Sequence, residues 1–335
     1  MPGIDRTRVS VVVPAYNSAL TIEDCLKAVK SSSYRNFELV LVNDGSTDGT
    51  RAIASGYADK IIDTAVRSGE SCARARGVHE SEGELIICVD SDVVIAPDTL
   101  DMIVKYFDGH EDISALTGKL SKTHANPDFF SQYKNLYMHY IFSRLPERIT
   151  FLYGSILAIR RDVSALFIAD PEFKGGADTL AGQNLISHDK KIAFLNTLEV
   201  IHLKKYNFIS LTVNNFMIPF YWAKIFIHYN GIEQMSKKGG GFAHSPLEQL
   251  ISVTAAPVVL FAPELFPGIP HIQAALFMVW ILLDSRFLLF LLKEKGGLFG
   301  LLSIPLTFFE NIIMACGIIC GFLHEFVRWV RHLLR

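Results

Sequence analysis

The chain has 335 residues, of which 50% are hydrophobic and 20% charged, and its formal net charge is -2. This composition excludes a disordered chain and a disulfide scaffold. The near-neutral charge, without a long basic run, also excludes electrostatic binding to nucleic acids. Five cysteines without a C-x-x-C pair are typical of a reducing compartment. Residues 247–323 carry only 8 charged side chains in 77 positions, which argues against a wholly soluble protein.

The front two thirds of the chain alternate short apolar strands with helices. The strands are predicted at 9–13, 37–42, 84–89 and 113–117, and the helices at 18–30, 47–58, 69–80 and 97–107. Such alternation predicts an α/β fold with a mostly parallel sheet flanked by helices. Ligands of these sheets bind at the carboxyl ends of the strands. The apolar stretch 9–13 is too short for the core of a signal peptide, so we expect this part of the chain in the cytoplasm.

The predicted strands end in polar residues. Tyr16 and Asn17 follow the first strand, Asn43 and Asp44 follow the second, and Asp90 follows the third. The G-x-G-x-x-G pattern of dinucleotide-binding enzymes and the P-loop pattern are both absent from the sequence. The segment 44–49 resembles the start of a calcium loop, but position twelve is serine instead of the required glutamate.

The triplet Asp90-Ser91-Asp92 carries the strongest chemical signal. Carboxylates at positions i and i+2 of an extended strand end point to the same side. Together they form a hard oxygen site suited to Mg²⁺ or Mn²⁺ bound to a diphosphate. A single D-x-D is also common as a solvated turn or helix cap, so its meaning depends on the neighbouring motifs.

Four sequence motifs flank the D-x-D triplet in a fixed order. VSVVVPAYN, LVNDGSTDGT and GESCARARG precede the D-x-D triplet, and SILAIRRD follows it. Over residues 8–202 this combination closely resembles the family 2 glycosyltransferases, which have the GT-A, Rossmann-like fold. The resemblance implies an enzyme that uses a nucleotide-diphosphate sugar and Mg²⁺ or Mn²⁺.

The resemblance also implies roles for individual residues. Those implied to bind the nucleotide sugar are Pro14, Ala15, Tyr16, Asn17, Asp44, Arg74, Asp90 and Ser91. Those implied to border the donor sugar and the acceptor or its phosphate are Gly154, Arg160 and Arg161. The implied metal ligands are Asp90, Asp92 and His202. The family usually has asparagine where this chain has Arg67 and Ala75. For the two arginines, a solvated helix entry is the alternative, and for the histidine a structural role.

Sugar transfer needs a base at the acceptor hydroxyl and positive charge at the departing diphosphate. The family's base lies in an acidic pair, which here is represented by Ala177-Asp178, with Asn184 and Leu185 six and seven positions beyond the aspartate. The resemblance therefore makes Asp178 the candidate base. The alternative role for Asp178 is to cap a helix at 179–187.

The last third of the chain is predicted to enter a membrane. Residues 269–292 and 298–323 are each long enough to cross about 30 Å of hydrocarbon. The segment 250–266, interrupted by two prolines, is a candidate for a third span, a re-entrant segment or a surface helix. Residues 211–229 mix aromatic with polar side chains, which is typical of an interfacial helix.

These patterns predict a catalytic GT-A domain at 1–210, an interfacial helix with a Gly-rich loop (236–241) at 211–246, and a helical membrane region at 247–335. The tail carries Arg328, Arg331 and Arg335, which the positive-inside tendency places in the cytoplasm if the chain crosses twice.

Three charged residues, Asp284, Arg286 and Glu310, fall within the predicted spans. Charges at that depth need partners because exposure to lipid costs a few kcal/mol each. We expect Arg286 to pair with Glu310, and the alternative is that these residues bind a phosphorylated lipid.

The sequence thus predicts an integral membrane glycosyltransferase with its catalytic domain on the cytoplasmic face. We expect it to move a single sugar, from a UDP-sugar, to a hydroxyl or phosphate of a lipid or lipid-linked acceptor, and the family resemblance implies inversion of the anomeric carbon. The Q-x-x-R-W motif of chain-extending synthases is absent after the base segment. The alternatives are a nucleotidyltransferase of similar fold and a catalytically silent membrane module.

Overall fold

The computed structural model describes residues 7–168, 176–229, 231 and 247–334. The chain forms two compact units: unit 1 comprises residues 1–127 and 142–205, and unit 2 comprises residues 128–141 and 206–335. The helix Phe129–Phe142 covers nearly all of residues 128–141. It therefore belongs with the C-terminal third, although it lies within the predicted catalytic segment 1–210. The predicted Gly-rich loop at 236–241 and Arg335 lie outside the described residues.

The strands and helices of the described residues are numbered in chain order. The strands are β1 (Val9–Ala15), β2 (Phe37–Asn43), β3 (Lys60–Asp63), β4 (Leu85–Val89), β5 (Val93–Val94), β6 (Ala115–Leu120), β7 (Arg148–Ile149), β8 (Ile156–Arg160) and β9 (Ile192–His202). The helices are α1 (Ile22–Lys30), α2 (Thr50–Ala54), α3 (Glu70–Glu80), α4 (Thr99–Asp108), α5 (Phe129–Phe142), α6 (Ala177–Ser187), α7 (Phe208–His228), α8 (Leu247–Leu260), α9 (Ala262–Leu265), α10 (Ile272–Lys295) and α11 (Gly297–Leu333).

Unit 1 is built on one twisted sheet with the strand order β3-β2-β1-β4-β8-β6-β9-β5, and β7 pairs with β9. The first four strands of this order are mutually parallel. Every residue of β1 and β4 is buried, as expected for apolar strands covered on both faces. The mostly parallel α/β fold predicted from the sequence is confirmed.

Strand β8, which the sequence analysis did not predict, runs antiparallel to both β4 and β6. Its register pairs Ile156 with Val89 and Arg160 with Leu85. The turn that precedes β8 therefore lies at the carboxyl end of β4, where ligands of parallel sheets bind. The end of β8 lies at the opposite edge of the sheet. The antiparallel direction of β8 therefore determines which of the predicted site residues lie close together.

Two predicted helices are shorter than expected. Helix α1 begins at Ile22 and not at 18, because the carbonyl of Ser18 accepts hydrogen bonds from the amides of Thr21 and Ile22 and closes a turn first. Helix α2 begins at Thr50 because the Asp48 carboxylate accepts the Thr50 amide and holds the preceding residues in a loop. In both places a side-chain or turn contact competes with the helical pattern.

Among its described residues, unit 2 has two helices that are long and apolar enough to cross a membrane, α10 with 24 residues and α11 with 37. Both exceed the roughly 20 residues that a span requires. Exposed apolar side chains such as Leu282 and Leu289 on α10 are typical of a surface that contacts lipid. The third candidate span is divided into α8, with 14 residues, and the four-residue α9, so neither helix crosses the hydrocarbon layer alone.

Helix α7, which was predicted as an interfacial helix, packs directly on α11. A Cβ at Gly317 would lie 2.3 Å from the carbonyl oxygen of Phe216, and one at Gly321 would lie 2.5 Å from that of Phe220. Small residues four apart allow such close contact between helices. The polar residue Asn215 is buried and faces α11 instead of water.

The expected pair between Arg286 and Glu310 is wrong. Arg286 lies 3.3 Å from Glu248 of α8, and Glu310 accepts a hydrogen bond from Asn215 of α7. The next residue along α11, Asn311, donates to Asp284 of α10 at 2.9 Å. Successive helical residues point about 100° apart. Helix α11 therefore turns Glu310 toward α7 and the neutral Asn311 toward α10.

Candidate active site

Three loops meet at the carboxyl edge of the parallel strands in unit 1. Pro14 and Ala15 are the last, buried residues of β1, so only the next two residues of the predicted nucleotide loop are exposed. Asn17 adopts φ 48°, a left-handed conformation that asparagine tolerates better than most residues. Its side-chain oxygen accepts the Thr47 amide at 2.8 Å. This contact fixes the loop after β1 against the loop after β2.

Ser91 joins the same edge from the loop after β4. Its hydroxyl lies 2.8 Å from the hydroxyl of Ser18, which follows the β1 loop. The three loops that the sequence analysis assigned to nucleotide binding are therefore connected to one another through side chains. Direct contact of Ser91 with a nucleotide sugar stays a prediction.

Asp44 lies at the end of β2 and is only 2% exposed. Its carboxylate accepts hydrogen bonds from the Thr64 hydroxyl, from the Ser68 amide and hydroxyl, and from the Gly69 amide. Burial raises the pKa of Asp44, but these hydrogen bonds outweigh it and hold the pKa below its ordinary value. Asp44 thus builds the loop before α3, and its predicted contact with the base or ribose is untested.

The loop that Asp44 holds carries Arg67 over Tyr16. The guanidinium carbon lies 4.2 Å from the centre of the tyrosine ring, within the range of a cation–π contact. Gly45 makes this approach possible, since it has φ 70° and a Cβ there would lie 2.8 Å from the Arg67 amide nitrogen. The sequence analysis noted Arg67 only as a departure from the family pattern. Its place beside Tyr16 follows from the tertiary fold.

Arg74 of α3 is the centre of the site and is 1% exposed. Its Nη2 donates to Asp90 Oδ1 at 2.6 Å and to Glu70 Oε1 at 2.5 Å. Within the part of the chain that the structure describes, its Nε and Nη1 have no hydrogen-bond partner. Burial raises the pKa of Asp90 to about 7. The positive charge of Arg74 lowers this pKa, but the negative charges of Glu70 and Asp92 act in the same direction as burial and together outweigh it.

Asp178 lies in the first turn of α6 and approaches Arg74 from the side of Gly154. Its Oδ2 accepts the Gly154 amide at 2.8 Å, and its Oδ1 accepts the Thr179 amide at 2.7 Å. Helix α6 begins at Ala177 with Gly176 as its cap, so the alternative role of Asp178, as the cap of this helix, is wrong by two positions. Burial raises the pKa of Asp178, as suits a group that takes up a proton.

Asp92 and His202 form a second pair beside this cluster. Asp92 Oδ1 lies 3.4 Å from His202 Nε2, and strands β5 and β9 bring the two segments together. Burial raises the pKa of Asp92, but His202 and Lys204 outweigh it and lower the pKa below its ordinary value. Two neighbouring carboxylates with pKa values shifted apart are typical of a reactive site. Asp92 stays ionised at neutral pH.

The metal-binding atoms of Asp92 and His202 fit a divalent cation whose other ligands include a diphosphate. Among the described residues, no three His, Cys, Asp or Glu side chains form a cluster of metal-binding size. Asp92 and His202 offer two donors, whereas the Asp90 carboxylate is engaged by Arg74. Mg²⁺ sites commonly use one or two carboxylates and complete their shell with substrate phosphates and water.

Arg160 and Arg161 do not belong to this site, so their predicted role at the acceptor or its phosphate is wrong. Arg160 donates to the carbonyls of Ile113 and Phe107, and Arg161 donates to the carbonyl of Gly83. Both lie at the end of the antiparallel strand β8, at the sheet edge opposite Asp90. Gly154, at the start of the same segment, does lie in the site.

Gly154→Ala should disturb the cluster, because a Cβ at this position would lie 2.8 Å from Arg74 Nη2. Over-packing a filled interior costs about 1–3 kcal/mol, and we expect a loss of that size in the free energy of unfolding, measured with urea. Gly56→Ala is the control, since the nearest atom there is 3.6 Å away. Equal stability of Gly154→Ala and the wild type would contradict this account of the cluster.

Comparison with known sequences finds a glycosyltransferase domain. Residues 10–167 match the model of Glycosyl transferase family 2. The poly-beta-1,6-N-acetyl-D-glucosamine synthase of Staphylococcus epidermidis is 30% identical over 114 residues, which are 33% of this chain and 28% of that protein. An uncharacterized glycosyltransferase of Haemophilus influenzae is 28% identical over 152 residues, 44% of this chain and 58% of that protein. These matches span less than two thirds of either relative.

Solved structures agree with this fold. The mannosyltransferase PcManGT of Pyrobaculum calidifontis, in complex with GDP-Man and Mn²⁺, has a TM-score of 0.56 at 17% identity and covers 95% of this chain and 86% of its own. A TarS fragment of S. aureus with UDP-GlcNAc has a TM-score of 0.51 at 17% identity, covering 95% and 91%. The match to the family 2 glycosyltransferase model covers residues 10–167, and the sheet has the GT-A architecture.

Proposed function

We propose that the protein is an inverting glycosyltransferase that moves a single sugar from a nucleotide-diphosphate sugar to a membrane-embedded acceptor. The observation that carries the proposal is the arrangement around Arg74. Asp90 contacts its guanidinium directly, and Asp178 is held beside it through the Gly154 amide. Asp92 and His202 lie next to this cluster on the same sheet edge. A family 2 domain supplies the class of reaction.

The donor is proposed to lie along the loops that follow β1 and β2. Tyr16 and Asn17 are exposed there, and Asp44 supports the loop that carries Arg67. Solved structures of similar fold contain GDP-Man or UDP-GlcNAc, which supports a nucleotide-diphosphate sugar as the donor class. A UDP-sugar is our proposed donor.

Asp92 and His202 are proposed to hold Mg²⁺ or Mn²⁺ together with the diphosphate of the donor. When bound, the metal would supply positive charge at the departing diphosphate. Asp92 suits this task because the lowered pKa keeps its carboxylate ionised. Arg74 pairs with Asp90. It therefore does not neutralise the Asp92 carboxylate, which faces His202.

Asp178 is proposed to be the base. It takes the proton of the acceptor hydroxyl while the acceptor oxygen bonds to the anomeric carbon, and the bond from that carbon to the diphosphate oxygen breaks. Attack from the face opposite the leaving group inverts the anomeric carbon. The amides of Gly154 and Thr179 hold both oxygens of Asp178 in place, which fixes the direction from which the base acts.

The acceptor is proposed to be a lipid or a lipid-linked sugar, because α10 and α11 are long and apolar enough to cross a membrane. Nucleotide sugars are cytosolic in our proposal, so unit 1 is placed on the cytoplasmic face. An N-terminal reporter that is labelled from outside intact cells would contradict this orientation.

A donor-binding panel tests the proposed function. Purified protein in detergent is titrated by calorimetry with UDP, GDP, UTP, GTP, UDP-glucose, UDP-GlcNAc and GDP-mannose, each with Mn²⁺ and with a chelator. We expect at least one nucleotide to bind, and its affinity to fall at least tenfold when the metal is removed. Binding of nucleoside triphosphates with release of pyrophosphate would instead favour a nucleotidyltransferase.

A further inference from the structure

Glu70 is a carboxylate of the site to which neither the sequence analysis nor the proposed reaction gives a role. It is the first residue of α3 and follows Gly69, which has φ 97°. Its Oε1 accepts a hydrogen bond from Arg74 Nη2, yet its side chain is 57% exposed. Arg74 thus holds one oxygen of the Glu70 carboxylate, while more than half of the side chain is exposed to solvent.

The same nitrogen of Arg74 also donates to Asp90 Oδ1 at 2.6 Å. Two oxygens that are hydrogen-bonded to one nitrogen lie within about 5 Å of each other. Glu70 is therefore placed beside Asp90, next to the position proposed for the donor. Glu70 also lies near Asp178, since its negative charge helps to raise the pKa of Asp178, after burial.

The charge of this region indicates what it binds. Arg74 lies among the carboxylates of Glu70, Asp90 and Asp178, and no other cation forms a hydrogen bond or ion pair with them among the described residues. The buried Nε and Nη1 of Arg74 have no hydrogen-bond partner in this part of the chain. Excess negative charge disfavours a phosphate. Ionised carboxylates are, however, strong acceptors for hydroxyl groups.

We propose that Glu70 is a sugar-binding residue, whose carboxylate accepts hydrogen bonds from hydroxyl groups of the transferred sugar. Asp92 and His202, which pair with each other next to Asp90, then take the diphosphate end of the donor. This inference rests on the proposed function, and it divides the site into a diphosphate end and a sugar end. Arg74 orients Glu70 and keeps its charge in place.

The test compares sugar nucleotides with the corresponding free diphosphates. Glu70→Gln keeps the shape and an acceptor for Arg74, but it removes the charge. We expect the Kd of the best-binding sugar nucleotide, chosen among UDP-glucose, UDP-GlcNAc and GDP-mannose, to rise roughly tenfold with Mn²⁺ present. The Kd of UDP or GDP alone should stay within about twofold, because no sugar hydroxyl is involved.

Glu80→Gln is the matched control. Glu80 ends the same helix, is 39% exposed and forms the same kind of pair, with Arg76 four residues away, but it lies far along α3 from the cluster. We expect Glu80→Gln to bind both classes of ligand like the wild type. Melting temperatures near that of the wild type confirm that both variants are folded.

Two results would overturn the inference. Equal weakening of free diphosphate and sugar nucleotide in Glu70→Gln would mean that Glu70 acts only through Arg74 and Asp90, and unchanged binding of both would mean that it has no role. In either case the wild type still binds nucleotides, so the proposed function stands. A wild type that binds none of the probes overturns the proposed function and this inference together.

Discussion

Asp178→Asn should lower turnover roughly 10²–10⁴-fold, the usual contribution of a positioned base, while donor affinity stays close to that of the wild type. The amide cannot take up the acceptor proton. Only one of the two hydrogen bonds to Gly154 and Thr179 is lost, which costs about 1 kcal/mol of folding free energy. Steady-state transfer rates and calorimetry with the donor separate the two effects.

Asp189→Asn is the control for this variant. Asp189 is exposed just beyond the other end of α6, and its φ of 58° is one that asparagine also adopts. Turnover of this variant should equal that of the wild type. Near-normal turnover of Asp178→Asn would instead return Asp178 to a structural role.

The pH dependence of turnover gives a second check on Asp178. The base acts only when ionised, so turnover falls as pH falls through its pKa. Burial raises this pKa above the ordinary value of aspartate, and we therefore expect the decline to begin at a higher pH than for an exposed carboxylate. The acid limb should be absent from the residual activity of Asp178→Asn.

Asp92→Ala should abolish metal-dependent donor binding and leave the protein folded. The carboxylate is half-buried and faces His202, and it supports no part of the apolar core. Its loss leaves His202 as a single donor, which is too few for Mg²⁺ or Mn²⁺ at a diphosphate. Calorimetry should show that the wild-type difference in nucleotide affinity with and without Mn²⁺ disappears.

Asp98→Ala is the matched control for Asp92. Asp98 is exposed in the same segment and makes no side-chain cap hydrogen bond to α4, so its removal should change neither folding nor metal dependence. Metal-dependent affinity that persists in Asp92→Ala at the wild-type level would sink the assignment of the metal site.

The strand ends could be predicted because their signal is local. Apolar runs followed by Asn17, Asp44 and Asp90 mark where buried strands end, and parallel strands bring those ends to one edge. The convergence of the three loops therefore follows from the sequence pattern. Their mutual contacts, such as that between Ser18 and Ser91, depend on distances that no local pattern contains.

Antiparallel pairing was the main source of error. Residues 156–160 are apolar enough for a strand, but nothing local specifies that this strand runs against β4. That direction keeps Gly154 in the site and carries Arg160 and Arg161 to the far edge. A family motif that spans both residue 154 and residue 161 cannot reveal that the two ends of the motif lie at opposite sides of the sheet.

Glu70 and Arg67 were missed for a related reason. They flank Ser68 and Gly69, whose amides donate hydrogen bonds to Asp44 at the end of β2. The i,i+4 spacing of Glu70 and Arg74 is the local signal that could have indicated an ion pair. It does not reveal that Arg74 is buried against Asp90. The membrane-length helices, in contrast, were predicted from hydropathy because a long apolar run is itself a local property.

Product analysis tests the central claim most directly. Membranes containing the wild-type protein are incubated with Mn²⁺ and a radiolabelled sugar nucleotide that binds in the calorimetric panel, and the released nucleotide and the lipid extract are measured together. The account predicts one nucleoside diphosphate released for each labelled sugar found in the lipid extract, with both signals lost in Asp178→Asn. Nucleoside diphosphate released without label in the lipid, or release of pyrophosphate in a parallel incubation with UTP or GTP, would contradict it.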